Sequence, residues 1–103
     1  MYAQVVQGGT TPEQRDEMNR IVHEMLIPAL RAEKGFVGAL NLEDRESGHG
    51  MMIQVWETEE QAAQMPDSEA FRKALGAIMA VSTGQRAPIK VWRVNTFVGP
   101  SKP

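Results

Sequence analysis

The chain has no cysteine among its 103 residues. That one absence removes disulfides, thiolate zinc sites, iron–sulfur ligation and cysteine nucleophiles together. Histidine is almost as scarce, with His23 and His49 the two present. That is too few for a protein-only metal cage, so neither a metal nor a resident cofactor is expected. A basic excess is missing too: 11 Lys+Arg against 13 Asp+Glu leave a formal charge of −2. A general phosphate-binding surface needs the opposite balance, so nucleic acid is not an expected partner. No window reaches the roughly 18 apolar residues that span a bilayer, and no membrane partner is expected. The start, Met1-Tyr2-Ala3-Gln4, lacks the basic and then apolar pattern of a secretory signal. A soluble, cytoplasmic protein is therefore the expectation.

At this length, folding hides only roughly 60–65% of the surface of the unfolded chain, so the core is thin. Residues 2–7 read as a strand closed by Gly8-Gly9. Thr11-Pro12-Glu13-Gln14 reads as a helix start, with Thr11 as cap and Gln14 completing a capping box. Met18, Ile21, Val22, Met25, Leu26, Ala29 and Leu30 then keep helical spacing, Pro28 bends the last turns, and Gly35 terminates the run. Strands are expected over 36–43 and 51–56, joined by a polar hairpin tip over 44–50. Thr58 caps a second helical region, broken at Met65-Pro66-Asp67 and restarted by Asp67 or Ser68. A loop is expected over 82–88, a long strand over 89–98, and a tail over 99–103.

The order β-α-β-β-α-β predicts an α+β, ferredoxin-like domain over residues 1–98: a four-stranded antiparallel sheet with two helices on one face. Two helices cover one side of such a sheet, yet both faces of the later strands are apolar. Met51, Ile53 and Val55 alternate with Met52, Gln54 and Trp56, and Trp92, Val94 and Val98 alternate with Ile89, Val91 and Phe97. An uncovered apolar face marks an interface. A second copy related by a two-fold axis is the simplest cover, so a homodimer closing into an α/β barrel is expected.

With these elements placed, the chain resembles the antibiotic-biosynthesis-monooxygenase-like group of dimeric α+β barrel proteins. The resemblance rests on the stretch from Pro28 to Phe36, on Ile53-Gln54-Val55-Trp56-Glu57-Thr58-Glu59-Glu60, and on Ser68-Glu69-Ala70-Phe71. It implies the fold just described and a choice of activities, among them cofactor-independent oxygenation of phenolic and quinol-like compounds and haem degradation. The haem-degrading branch uses a first-strand asparagine, a tryptophan in the second helical region and a histidine one turn beyond the phenylalanine. Here Gln4 and Gln7 stand on the first strand, with Met65 and Leu75 at the other two positions, which points away from haem. The histidine that many members carry ahead of the serine-to-phenylalanine step is replaced by Met65-Pro66-Asp67.

Cofactor-free oxygenation needs an electron-rich substrate that loses a proton and passes an electron to O2. The protein supplies an apolar pocket, a base, and donors for the anion. His23 falls about 20° beyond Leu30 on a helical wheel, at the edge of the apolar arc, and is the candidate base. The competing reading is a boundary histidine facing water. His49, between two glycines at a hairpin tip, reads as a solvated loop residue. Gln54, Trp56, Trp92 and Asn95 are the candidate substrate-binding residues. The tryptophans would stack on an aromatic ligand and the amides anchor it, although each also suits an interface between subunits. Met18, Met25 and Met79 need only be core. The functional expectation is a cofactor-independent monooxygenase of a small aromatic, phenolic or quinol-like molecule. The alternative is a non-catalytic small-molecule-binding or stress-associated dimer, and a third reading is a domain that assembles with another protein.

Overall fold

The computed structural model describes residues 1–83 and 89–100. The loop expected over 82–88 lies outside them from residue 84 onward, and the tail expected over 99–103 from residue 101 onward. The elements are β1 (Tyr2–Gly9), a 3-10 turn (Pro12–Gln14), α1 (Arg15–Ile21), a π-helical turn (Val22–Leu26), α2 (Ile27–Arg31), β2 (Phe36–Glu43), β3 (His49–Trp56), α3 (Glu59–Ala63), α4 (Glu69–Val81) and β4 (Lys90–Arg93). The sheet runs β2-β3-β1-β4, with every neighbouring pair antiparallel. This is the α+β, ferredoxin-like arrangement expected from the element order. No helix among the described residues is long and apolar enough to cross a membrane.

Local chemistry explains most of the boundaries. Thr58 and Gln61 form a reciprocal capping box at the start of α3, and the Ser68 hydroxyl accepts from the Phe71 amide to start α4. The first helical run opens differently from expectation. Thr11 makes no side-chain cap, and the chain enters through the 3-10 turn instead. Ahead of Pro28 the helix widens into the π turn, where the Ile27 amide donates to the Val22 carbonyl five residues back. Proline brings no amide and crowds the carbonyl four residues before it, and a widened turn relieves both effects. Gly35 takes a φ of 86°, the left-handed conformation that glycine reaches without strain.

β4 is much shorter than the strand expected over 89–98. It runs antiparallel to β1, and Arg93 already lies opposite Tyr2, where β1 begins. The Val94 amide finds one more partner in the Met1 carbonyl at 3.0 Å. β3, by contrast, starts earlier than expected, because Gly8 and Gly9 pair with Gly50 and His49 and so carry β1 and β3 two rungs further.

The helices lie on one face of the sheet. Val22, Leu26, Ala29, Leu30, Trp56, Ala62, Phe71 and Ala74 form the buried cluster there, with Leu30 fully enclosed. Met18 and Met25 pack against that cluster, whereas Met79 is exposed rather than core. The other face carries Val5, Ile53, Val55, Leu40, Leu42 and Trp92, as the pairing register requires. No element among the described residues covers it, and Leu40, Leu42 and Trp92 are exposed there.

Candidate functional site

Side chains alternate across a strand, so the register decides which of them share a face. Gln4 lies opposite Gln54, Val6 opposite Met52, and Asn41 opposite Met52 on the other side of β3. These residues face the helices. Packing is incomplete at that level, and a cavity of about 140 Å³ opens between sheet and helices. Gln4, Val6, Met52 and Gln54 form its floor, and Met18, Val22, Leu26, Phe71, Leu75 and Ile78 its helical wall. An apolar cavity of roughly 150 Å³ takes up one benzene ring, so the space is that of a single ring.

The two glutamines on the floor are each 4% exposed, and their amides are used differently. Gln4 Nε2 donates to the Ala62 carbonyl at 2.9 Å. The bond ties β1 to the last turn of α3, where a helix leaves carbonyls without internal partners. Gln54 Oε1 is enclosed and accepts no hydrogen bond among the described residues. A buried polar atom left this way costs about 1–3 kcal/mol. At the wall of a cavity, a donor on a bound molecule would relieve that cost.

At the far end of the floor stands Glu43, the one ionisable side chain that lines the cavity among the described residues. Arg15 pairs with it, Nε standing 3.1 Å from the carboxylate but out of line for a hydrogen bond, while Arg45 stands at 3.9 Å from the second oxygen. Arg15 is itself steadied, since its Nη2 donates to the Arg45 carbonyl at 2.9 Å. The carboxylate thereby lies between α1 and the β2–β3 hairpin, exposed at the rim of the cavity.

Of the five residues singled out from the sequence, only Gln54 lines this space. Trp56 stands two positions along the same face but is packed into the core. It is 2% exposed and set edge-to-face against Phe36, with ring centroids 5.4 Å apart. Its indole N–H is enclosed without a partner among the described residues, and nothing in the packing explains that. Trp92 is on the opposite face, opposite Ala3 in the register, with Lys90 Nζ 4.6 Å from its ring centroid. It cannot share a ligand with Trp56 inside one chain. Asn95 lies past the end of β4 and is exposed.

His23 is exposed and does not line the cavity, so the structure does not bring the candidate base to the site. The reason is the π turn that contains it. Such a turn takes in one extra residue, which rotates the helix before it against the helix after it by about 100°. An ideal wheel that places His23 beside Leu30 therefore misplaces it. His49 is exposed as expected, although it opens β3 rather than sitting in a loop, with its Nε2 3.2 Å from Gln7 Oε1.

Two residues of the site were not singled out beforehand. Gln4 carried the same signal as Gln54, a polar side chain in a strand of apolar neighbours. Glu43 had only its parity with Ala39 and Asn41 on β2 to mark it. Gln4, Gln7, Met65 and Leu75, the residues that the resemblance sets against those of the haem-degrading branch, all line the cavity.

Residues 1–77 match the family model for antibiotic biosynthesis monooxygenase. No curated protein matches the chain in sequence. Among solved structures it is similar to Rv0793 from Mycobacterium tuberculosis, at 15% identity and a TM-score of 0.73 over 95% of this chain and 98% of that one. A conserved protein from Methanosarcina mazei Go1 aligns at 18% identity and a TM-score of 0.72, over 90% and 92% of the two chains. SnoaB, a cofactor-independent oxygenase from Streptomyces nogalater, aligns at 16% identity and a TM-score of 0.69, over 96% and 98%.

Proposed function

Because the chain belongs to the antibiotic biosynthesis monooxygenase family, we propose that it is a cofactor-independent monooxygenase. It works in the cytoplasm as a homodimer on a small aromatic, phenolic or quinol-like molecule held between the sheet and the helices. The observation that carries this reading is Gln54, a buried and incompletely bonded amide at the wall of a ring-sized apolar cavity. The activity of SnoaB, which shares the fold, is further support.

The chemistry asks little of the protein beyond its surroundings. The substrate loses a proton, and its anion passes one electron to O2. The two radicals combine to a peroxide, which loses water, so one oxygen atom enters the product and the other leaves as water. All four electrons come from the substrate. The cavity excludes water and orients the ring, which strengthens every polar contact made inside it. An amide that donates to the developing oxyanion is worth most in such a place. With His23 outside the cavity, proton loss falls to the substrate's own acidity and to Glu43.

The dimer part of the reading is supported by the open sheet face, whose exposed Leu40, Leu42 and Trp92 form the kind of patch that a second copy covers by two-fold symmetry.

Oxygen uptake with a panel of anthrone- and quinol-like substrates tests the proposal. The expected result is uptake that falls about tenfold or more in Gln54→Leu and is unchanged in His23→Ala. No uptake with any substrate, together with a ligand-induced rise in melting temperature, replaces the enzyme with a non-catalytic binding dimer.

A further inference from the structure

The side chains that face the helices fall into cross-strand rows, and the rows thin out along the sheet. Tyr2, Trp56 and Phe36 make the first row and fill the core beyond the deep end of the cavity. Gln4, Gln54 and Ala39 follow, then Val6, Met52 and Asn41. In the next row Gly8 lies opposite Gly50, and Gly50 opposite Glu43. Two of the three strands carry no side chain there. The floor therefore drops to bare backbone at the end of the cavity where Asn41 and Glu43 are exposed, and both glycines line it. The two glycines have different reasons. A Cβ at Gly50 would stand 3.3 Å from the Leu42 carbonyl oxygen, so backbone crowding accounts for that one. A Cβ at Gly8 would meet nothing within 4 Å among the described residues, and its φ is not positive. Neither packing nor conformation asks for glycine there, and glycine inside a strand costs stability.

Resting on the reading above for the ligand of the site, we propose that this gap is the portal of the cavity and that Gly8 governs passage through it. The frame around the gap is tied in place. The Thr10 amide donates to the Gly48 carbonyl at 3.2 Å, the Thr83 amide to the Gly9 carbonyl at 2.8 Å, and the Thr10 hydroxyl to the Val81 carbonyl at 2.7 Å. The end of β1 is thereby joined to the hairpin tip and to the end of α4, so the portal has fixed edges. Gly8 and Gly50 are paired within the sheet, so their backbones offer a passing ring little to bind. The ring slides inward over the Met52 row until it reaches Gln54. Met65 also lines the cavity and is exposed, but its position is filled by a side chain.

Exchange of 4-fluorophenol, followed by fluorine NMR on the full chain under argon, tests this. Gly8→Val fills the gap with a short, β-branched side chain that suits a strand, so its melting temperature should hold or rise. Association and dissociation rates are expected to fall together by about tenfold or more in that variant, with affinity changed by less than about threefold. Gly8→Ala should fall between it and the native chain, and Met65→Trp should leave both rates as they are. Slower exchange in a chain that is no less stable is the mark of a blocked passage and not of a damaged fold. Unchanged rates in Gly8→Val, slowing by Met65→Trp instead, or no uptake of the probe by the native chain overturns the proposal. Argon separates this outcome from the activity. Slowed exchange without oxygen uptake in air keeps the portal and removes the oxygenase, and uptake without slowing does the reverse.

Discussion

The two faces of the sheet reverse the usual rule of polar outside and apolar inside. The face under the helices buries Gln4 and Gln54, at 4% exposure each. The face turned away from the helices presents Val5, Ile53, Val55, Leu40, Leu42 and Trp92. Neither choice helps a lone chain. A buried amide without a partner costs stability, and an exposed apolar sheet invites association. Each makes sense if a second molecule completes it: a small ring on the covered face, another copy of the chain on the open one. On the proposed reading the two faces answer to different partners, and each can be changed without rebuilding the other.

The largest effect is expected on the open face. Ile53→Lys sets a charge among Val5, Leu40 and Val55, and two-fold symmetry sets a second one near it. An unpaired buried charge costs several kcal/mol, which weakens association by about a thousandfold or more. Sedimentation velocity at micromolar concentration should show a dimer for the native chain and a monomer for the variant. A native chain that sediments as a monomer would mean that the open face is simply open, and the comparison of the faces would lose one side.

The two tryptophans sharpen the contrast. Trp56→Ala empties a packed core position and should cost about 3–5 kcal/mol in chemical denaturation. Trp92→Ala, made in the Ile53→Lys background so that association does not mask it, should cost about 1 kcal/mol or less. Acrylamide should quench Trp92 readily in that monomer and leave Trp56 dark to it. Equal costs would place both rings in one core and contradict the register.

That register is also where reading the sequence stopped. The caps at Thr58 and Ser68, the helical stripe through Val22, Leu26 and Leu30, and the alternation along β3 are local, and all were legible. So was Gln54, because a polar residue among apolar neighbours is visible in one dimension. Which face Trp92 shares is not a local property. It comes from Trp92 lying opposite Ala3, and no pattern within residues 89–98 contains that pairing. The extent of β4 is likewise a matter of its pairing with β1. His23 was lost to a π turn that changes the phase of the helix, and Glu43 becomes part of the site only when α1 brings Arg15 across to it.

The smallest predicted effect separates the two amides of the covered face, which look alike in composition, burial and position. Gln4→Leu removes the donor to the Ala62 carbonyl and leaves that acceptor unpaired, so it should destabilise the chain by about 1–3 kcal/mol. Gln54→Leu removes an acceptor that has no partner, so the ligand-free chain should gain about 1 kcal/mol. In a domain of this size that gain is about 4–8 °C in melting temperature. The sign is the informative part. A glutamine whose loss stabilises the empty protein is not there for the fold, and the same substitution should lower affinity for an aromatic molecule bound in the cavity. If Gln54→Leu destabilised the chain as Gln4→Leu does, Gln54 would be one more structural amide. The covered face would then hold a packing defect in place of a binding site.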